Sequence, residues 1–270
     1  MKRKKVRFPR PTLVWSLWPG IKTRKKPIVV AHRGSSGTAP ENTIASFRQA
    51  IDAGAEMVEL DVRLTKDFFL VVLHDRDVRR TTNGSGKIWN LTLEELRRLD
   101  AGSWFSPEFA RERIPTLRQV MEILPPNVLL NMEVKTDGDP RKRIAMEEAC
   151  VLAVLEKKFE ERVLISSFDH KFLRRLHSIY PSIPTGALYY PVRDAAKKPS
   201  GISRRIGAGV FICDRTQLRQ RFLDDARAHK IMTACYVVNT PEQLEKVTTL
   251  GVNAVVTDFP KRMIQVLKNQ

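Results

Sequence analysis

From residue 27 onward, short apolar runs alternate with stretches whose apolar residues recur at helical spacing. This alternation constrains the fold more than any other feature of the 270-residue chain. Strand-like runs fall at 28–31, 57–62, 69–73, 128–135, 163–168, 185–189, 209–213, 232–238 and 254–257. Helical patterns fall from about 42, and at 141–158, 169–179, 215–229, 241–250 and 260–268. In the first of these Ile44, Phe47, Ala50 and Ile51 share one face, and Gly54 stands where a left-handed residue ends a helix. Strands separated by helices form a parallel sheet covered by helices. The predicted class is therefore α/β, a TIM-type (β/α)8 barrel. Nine runs are present where closure needs eight, so one is expected to be irregular. A doubly wound open sheet is the weaker alternative, because no Gly-rich nucleotide loop follows the first strand.

Residues 76–125 break the alternation and read as a small inserted subdomain. Thr92 with Glu95 forms a capping-box pattern there, and Thr116 opens a second helix through Leu117, Val120, Met121 and Leu124. Trp104, Phe105 and Phe109 are expected to pack in that subdomain's core.

The formal charge of +17 suggests nucleic acid or membrane until it is located. Ten Lys or Arg and no acid lie in residues 1–26, leaving only +7 for the body at 27–270. Residues 1–26 thus read as a flexible basic leader. Its apolar patch, Leu13-Val14-Trp15-Ser16-Leu17-Trp18, is far shorter than the about 20 residues a spanning helix needs. No small-residue cleavage site follows it. Basic residues around two Trp fit peripheral contact with an anionic membrane, and a soluble tail is the equal alternative. The body carries no nucleic-acid motif. Cys150, Cys213 and Cys235 are widely spaced and read as reduced core residues of a cytoplasmic protein.

Strand parity then picks out the chemistry. Met57, Glu59 and Asp61 share one face of their strand, as do Asn131, Glu133 and Lys135 of theirs. The opposite faces are apolar and suit the helix layer, so the charged faces point into the barrel. Three buried carboxylates repel and lose hydration, which a divalent cation would offset. An all-oxygen set suits Mg²⁺ or Ca²⁺. The alternative is an ion network among Glu59, Asp61, Glu133, Lys135 and Arg33. Of five histidines, His32 and His74 each terminate a strand run, where barrel enzymes carry catalytic groups. Two imidazoles could supply the proton acceptor and donor that phosphodiester cleavage requires. His170, His177 and His229 read as solvated or core residues. Arg33 and Lys135 add positive charge at the same mouth, for phosphate or for the carboxylates.

Nine short segments, in order, resemble the glycerophosphodiester phosphodiesterase family. They are Ala31-His32-Arg33-Gly34, Pro40-Glu41-Asn42-Thr43, Val58-Glu59-Leu60-Asp61-Val62, Val72-Leu73-His74-Asp75, Thr81-Thr82-Asn83-Gly84, Met132-Glu133-Val134-Lys135, Leu164-Ile165-Ser166-Ser167-Phe168, Tyr236-Val237-Val238-Asn239 and Val255-Val256-Thr257-Asp258. The resemblance runs from about Ile28 to the C-terminus. It implies one divalent ion on Glu59, Asp61 and Glu133, acid–base work by His32 and His74, and substrate contacts from Arg33, Glu41, Lys135 and Tyr236. It also implies a glycerophosphodiester substrate and sn-glycerol 3-phosphate as product. Two departures stand out. Tyr236 and Val237 replace the family's usual Trp-Thr, and Arg111 precedes Glu112 where Gly is common. A lysophospholipase D acting at a membrane is the nearest alternative. Removing residues 1–26 is expected to leave turnover of a soluble glycerophosphodiester within about twofold. A chain that works chiefly as a membrane or nucleic-acid binder through that leader would show no such turnover with or without it.

Overall fold

The computed structural model describes residues 24–136 and 140–269. All nine expected runs are strands: β1 (Ile28–Ala31), β2 (Met57–Leu64), β3 (Leu70–Val72), β4 (Leu129–Val134), β5 (Val163–Ser167), β6 (Thr185–Leu188), β7 (Val210–Asp214), β8 (Met232–Tyr236) and β9 (Ala254–Thr257). β1 pairs in parallel with both β2 and β9, which closes β1, β2 and β4 to β9 into an eight-stranded parallel barrel. That closure rules out the open doubly wound sheet. The expectation that one run is irregular needs correction. The extra run, β3, is a regular strand outside the barrel, antiparallel to β2 with Val62 opposite Val72 and Leu64 opposite Leu70. The short helix-free link between the two runs permits only a hairpin, because a parallel crossover needs a dozen or more residues.

The parity argument carries through to packing. Ile28, Val30, Met57, Leu164, Leu188, Val210, Ile212, Met232, Ala234, Ala254 and Val256 fill the barrel interior. Alternate residues, such as Val29, Val58, Leu60, Leu130, Met132, Phe211 and Val255, join the helices in the larger outer core. Thr43 caps the helix Ile44–Asp52 with a capping box, and Gly54 follows it at φ +82°. Two short helices, Pro191–Asp194 and Pro199–Ile206, lie between β6 and β7, where the sequence shows no helical periodicity. Each starts with a proline, whose fixed φ suits a first helical position.

The stretch 76–125 divides by packing. Val78, Ile88, Leu93, Leu96, Ala101 and Ile114 form a separate small core with Val71 and Leu73. The helix Leu117–Ile123 instead places Leu117, Val120 and Met121 in the barrel's outer core. Trp104 and Phe105, expected in the subdomain core, are 41% and 37% exposed. Smaller aliphatic residues fill that core, and the two rings meet edge to face at its surface, with Phe105 also against Phe109. Cys150, Cys213 and Cys235 are free and buried. The leader's two tryptophans and its membrane contact lie outside the described residues, among which no helix is long and apolar enough to cross a membrane.

Tyr189, Phe211 and Phe222 stack with ring centres 5.5–5.6 Å apart where β6 and β7 meet the helix Gln220–Ala228. Phe211→Ala removes one of three mutually contacting rings from a buried site. It is expected to cost ~3–5 kcal/mol, read as a drop of roughly 10 °C in the thermal midpoint. A midpoint unchanged within 2 °C, on the order of one kcal/mol, would show that the barrel–helix seam is not packed this way.

Candidate active site

The acidic cluster is set by sheet register. β2 and β4 pair in parallel with Glu59 beside Asn131 and Asp61 beside Glu133. Inward parity then puts one oxygen from each of Glu59, Asp61 and Glu133 within 4.8 Å of the others. Glu59 and Asp61 are 3% and 1% exposed. Burial, reinforced by the Asp61 charge, pushes the Glu59 carboxyl well above the usual carboxylate range. Burial acts the same way on Glu133. It also opposes ionisation of Asp61, but the Lys135 and Arg33 charges outweigh it and hold that carboxyl low. Glu59 Oε1 is buried and accepts no hydrogen bond among the described residues. A buried lone pair of this kind is costly unless something positive meets it. The donor set and this open oxygen fit a hard divalent cation held by Glu59, Asp61 and Glu133.

The loop after β1 brings cations to the cluster. Arg33 adopts φ +55°, unusual for a non-glycine residue, and its backbone N–H donates to Glu59 Oε2 at 2.9 Å. Gly34 follows at φ +82°, where an added Cβ would lie 2.4 Å from Ser46 Oγ. The Arg33 side chain lies 2.8 Å from Glu41 and 3.3 Å from Asp61. Glu41 also receives both terminal nitrogens of Arg80 at 2.8 Å each, so its carboxylate links two guanidinium groups. Asn42 donates to Asp61 Oδ2 at 2.9 Å. Lys135 lies 3.0 Å from Asp61 and closer still to Glu133.

Both histidines are anchored through Nδ1. His32 meets Asp258 Oδ1 at 2.6 Å, and Asp258 is held in turn by Ser36 at 3.0 Å and Asn239 at 2.6 Å. Burial lowers the His32 pKa, but the Asp258 hydrogen bond and the Glu59 charge outweigh it, so it lies above the ordinary value. Asp258 is depressed to about 2; burial opposes this, and the His32 bond overcomes it. His74 meets Asp75 Oδ1 at 2.7 Å, and Arg80 holds the other Asp75 oxygen at 2.5 Å. Burial lowers the His74 pKa, with Lys135 and Arg33 assisting against Asp61. Each carboxylate fixes its ring's orientation through Nδ1 and does not engage Nε2.

His74 reaches the cluster by an unexpected route. It ends an antiparallel strand, not a barrel strand. Leu73 N donates to Asp61 O at 2.9 Å, so the chain runs out along β2 and returns to the level of Asp61 on β3. Arg63, the next inward residue of β2, fixes the turn by donating to His74 O at 2.9 and 2.6 Å. Tyr236 ends β8 facing the mouth, where burial and then the Glu133 charge raise its phenol. Arg111 stands in its turn without a positive φ, and Glu112 accepts the Ala45 N–H at 3.2 Å, at the first turn of the helix Ile44–Asp52. Asp258 and Asp75 stand in the sequence motifs without a role, and Arg80 lies outside them. Asp258 had a signal, continuing the inward parity of Ala254 and Val256 in β9. Arg80 had none, since only the insertion's fold turns it toward Glu41.

Comparison with known proteins places this geometry. The model of the glycerophosphoryl diester phosphodiesterase family matches residues 32–262. A glycerophosphodiester phosphodiesterase of Caldanaerobacter subterraneus subsp. tengcongensis is 38% identical over 90% of this chain and 98% of its own length. A putative glycerophosphodiester phosphodiesterase of Bacillus subtilis, YhdW, is also 38% identical, over 88% of this chain and 96% of its own length. The solved structure of an Oleispira antarctica phosphodiesterase in complex with its product sn-glycerol-3-phosphate superposes with a TM-score of 0.80. It is 30% identical and covers 90% of this chain and 97% of that one. The closed barrel, the acidic cluster at its mouth and these full-length relatives agree: the chain is an enzyme that belongs to the glycerophosphoryl diester phosphodiesterase family.

Proposed function

We propose that this enzyme hydrolyses glycerophosphodiesters to sn-glycerol 3-phosphate and an alcohol, with His32 and His74 as the acid–base pair and a divalent cation, Mg²⁺ or Ca²⁺, on Glu59, Asp61 and Glu133. The observation that carries the reading is the pairing of two carboxylate-anchored imidazoles with one buried acidic cluster. When bound, the cation supplies Lewis-acid stabilisation of charge on the phosphate. One imidazole Nε2 takes the proton of the attacking hydroxyl, from water or from the substrate's own glycerol. The other gives a proton to the departing alkoxide. Asp258 and Asp75 hold the two rings so that the transfer begins from a fixed geometry. Arg33 and Lys135 grip phosphate oxygens, Glu41 acts through Arg33 and Arg80, and Tyr236 forms a wall for the substrate.

A second reading is favoured by the exposed Trp104 and Phe105 on the same insertion that carries Arg80. These rings suit contact with a lipid interface and would let the same chemistry act on lysophospholipids. Turnover of glycerophosphocholine against lysophosphatidylcholine separates the two.

His32→Ala and His74→Ala are each expected to lower kcat by about 10²–10⁴-fold with the thermal midpoint little changed. Near-normal turnover by either variant rejects its assignment. Chelation is expected to abolish turnover, with Mg²⁺ or Ca²⁺ restoring it. The restoring ion should also raise the thermal midpoint of the native enzyme but not that of Asp61→Asn. Full activity in metal-free protein would reject the cation site.

A further inference from the structure

A cavity of about 460 Å³ lies on the β5–β6 side of the barrel mouth, outside the site described above. Its walls carry Arg143, Lys171, Arg174, Arg193 and Arg205, with Asp169 as the one acid, and His170 forms its floor. Its volume is ordinary for a small-ligand site. The charge is not matched locally. Asp169 pairs with Arg143, and the buried Asp194 takes Arg193 and Lys197. Lys171, Arg174 and Arg205 form no ion pair among the described residues.

The floor is unusual. His170 is 6% exposed, yet each ring nitrogen faces a guanidinium, Nε2 to Arg193 at 3.0 Å and Nδ1 to Arg205 at 3.3 Å. Nε2 also lies 3.1 Å from the Leu188 carbonyl, to which it donates, so Nδ1 is the nitrogen that accepts, from Arg205. Burial, and then the Arg193 charge, hold the ring's pKa below the ordinary value. Lys171 and Arg174 meet no anionic group among the described residues, and Arg205 meets only the His170 ring. An anion with several oxygens would serve two guanidinium groups and an ammonium together. Arginine pairs with phosphate through two parallel hydrogen bonds.

We propose that this cavity is a second anion site, for a phosphate group, in which Arg174, Arg205 and Lys171 engage the phosphate oxygens above His170. The site connects to the catalytic mouth. Arg193 donates to the Phe168 carbonyl, and the Phe168 ring lies 6.0 Å from Lys135 Nζ. Thr136, the residue after Lys135, donates to Asp169 at 2.8 Å. The phosphate could be free inorganic phosphate or a further phosphate carried on the alcohol of a substrate. Only the second source rests on the phosphodiesterase reading.

The test uses the full chain with ¹⁵N-labelled histidine. Imidazole signals are followed while inorganic phosphate is added at constant ionic strength, with His170→Gln assigning the floor residue. The His170 signals are expected to shift saturably, on a curve separate from those of His32 and His74. In Arg174→Gln/Arg205→Gln, two exposed positions, the affinity read at His170 should fall at least about tenfold, while glycerophosphocholine turnover stays unchanged. His170 signals that ignore phosphate, or an affinity unchanged in the double variant, overturn the site. The source is then read from KM. If a glycerophosphodiester bearing a second phosphate on its alcohol loses its KM advantage over glycerophosphocholine in the double variant, the site serves substrate. If that ratio is unchanged while the His170 shift is weakened, the site takes free phosphate. Because the binding arm involves no turnover, failure of the catalytic reading leaves it standing.

Discussion

Three carboxylates converging at a barrel mouth, two of them buried, repel unless positive charge meets them, and the architecture around β2 and β4 answers that constraint. Glu59, Asp61 and Glu133 cannot move apart, because parallel register locks Asp61 beside Glu133 and parity locks Glu59 below them. Their mutual repulsion in a low dielectric is far larger than in water. Lys135 and Arg33 offset the charge on Asp61 and Glu133. Glu59 receives a single backbone N–H, from Arg33, and keeps an oxygen without a partner. The compensation is thus incomplete in the protein alone. A buried acidic site left short of charge is one that gains from an added cation.

The same economy of position governs the histidines. His32 sits one step beyond the inward residues of β1, and its partner Asp258 sits at the matching step beyond β9, the adjacent strand. Barrel closure therefore creates the pair. His74 and Asp75 come from the detour through β3, and Arg80 of the insertion ties them to Glu41 and so to Arg33. The insertion is consequently part of the site, since it carries the guanidinium that bridges the two halves of the mouth. Its own small core is separate from the packing of the barrel interior.

Much of this was legible in the residues. Alternating strand and helix periods led to a parallel barrel, because each period matches a distinct backbone geometry and burial pattern. Period-two parity on 57–62 and 128–135 led to an inward acidic set, because side chains on a strand have only two faces. Caps at Thr92 and Thr116 were visible because they act within four residues. The short helices after β6 were not, because neither is long enough to show a repeat.

What the sequence by itself determined is therefore local and periodic: the order of elements, the faces they bury, and which carboxylates and histidines point toward one end. Tertiary structure alone decided that β3 lies outside the barrel, and the partners Asp258 and Arg80. It also decided that Trp104 and Phe105 face outward and that five basic residues share one cavity. The physical reason is that these outcomes depend on contacts between residues far apart in the chain. His32 and Asp258 are separated by 226 positions, and no periodicity in either segment encodes the other. Only the circle of backbone hydrogen bonds, completed when β1 meets β9, brings them within 2.6 Å.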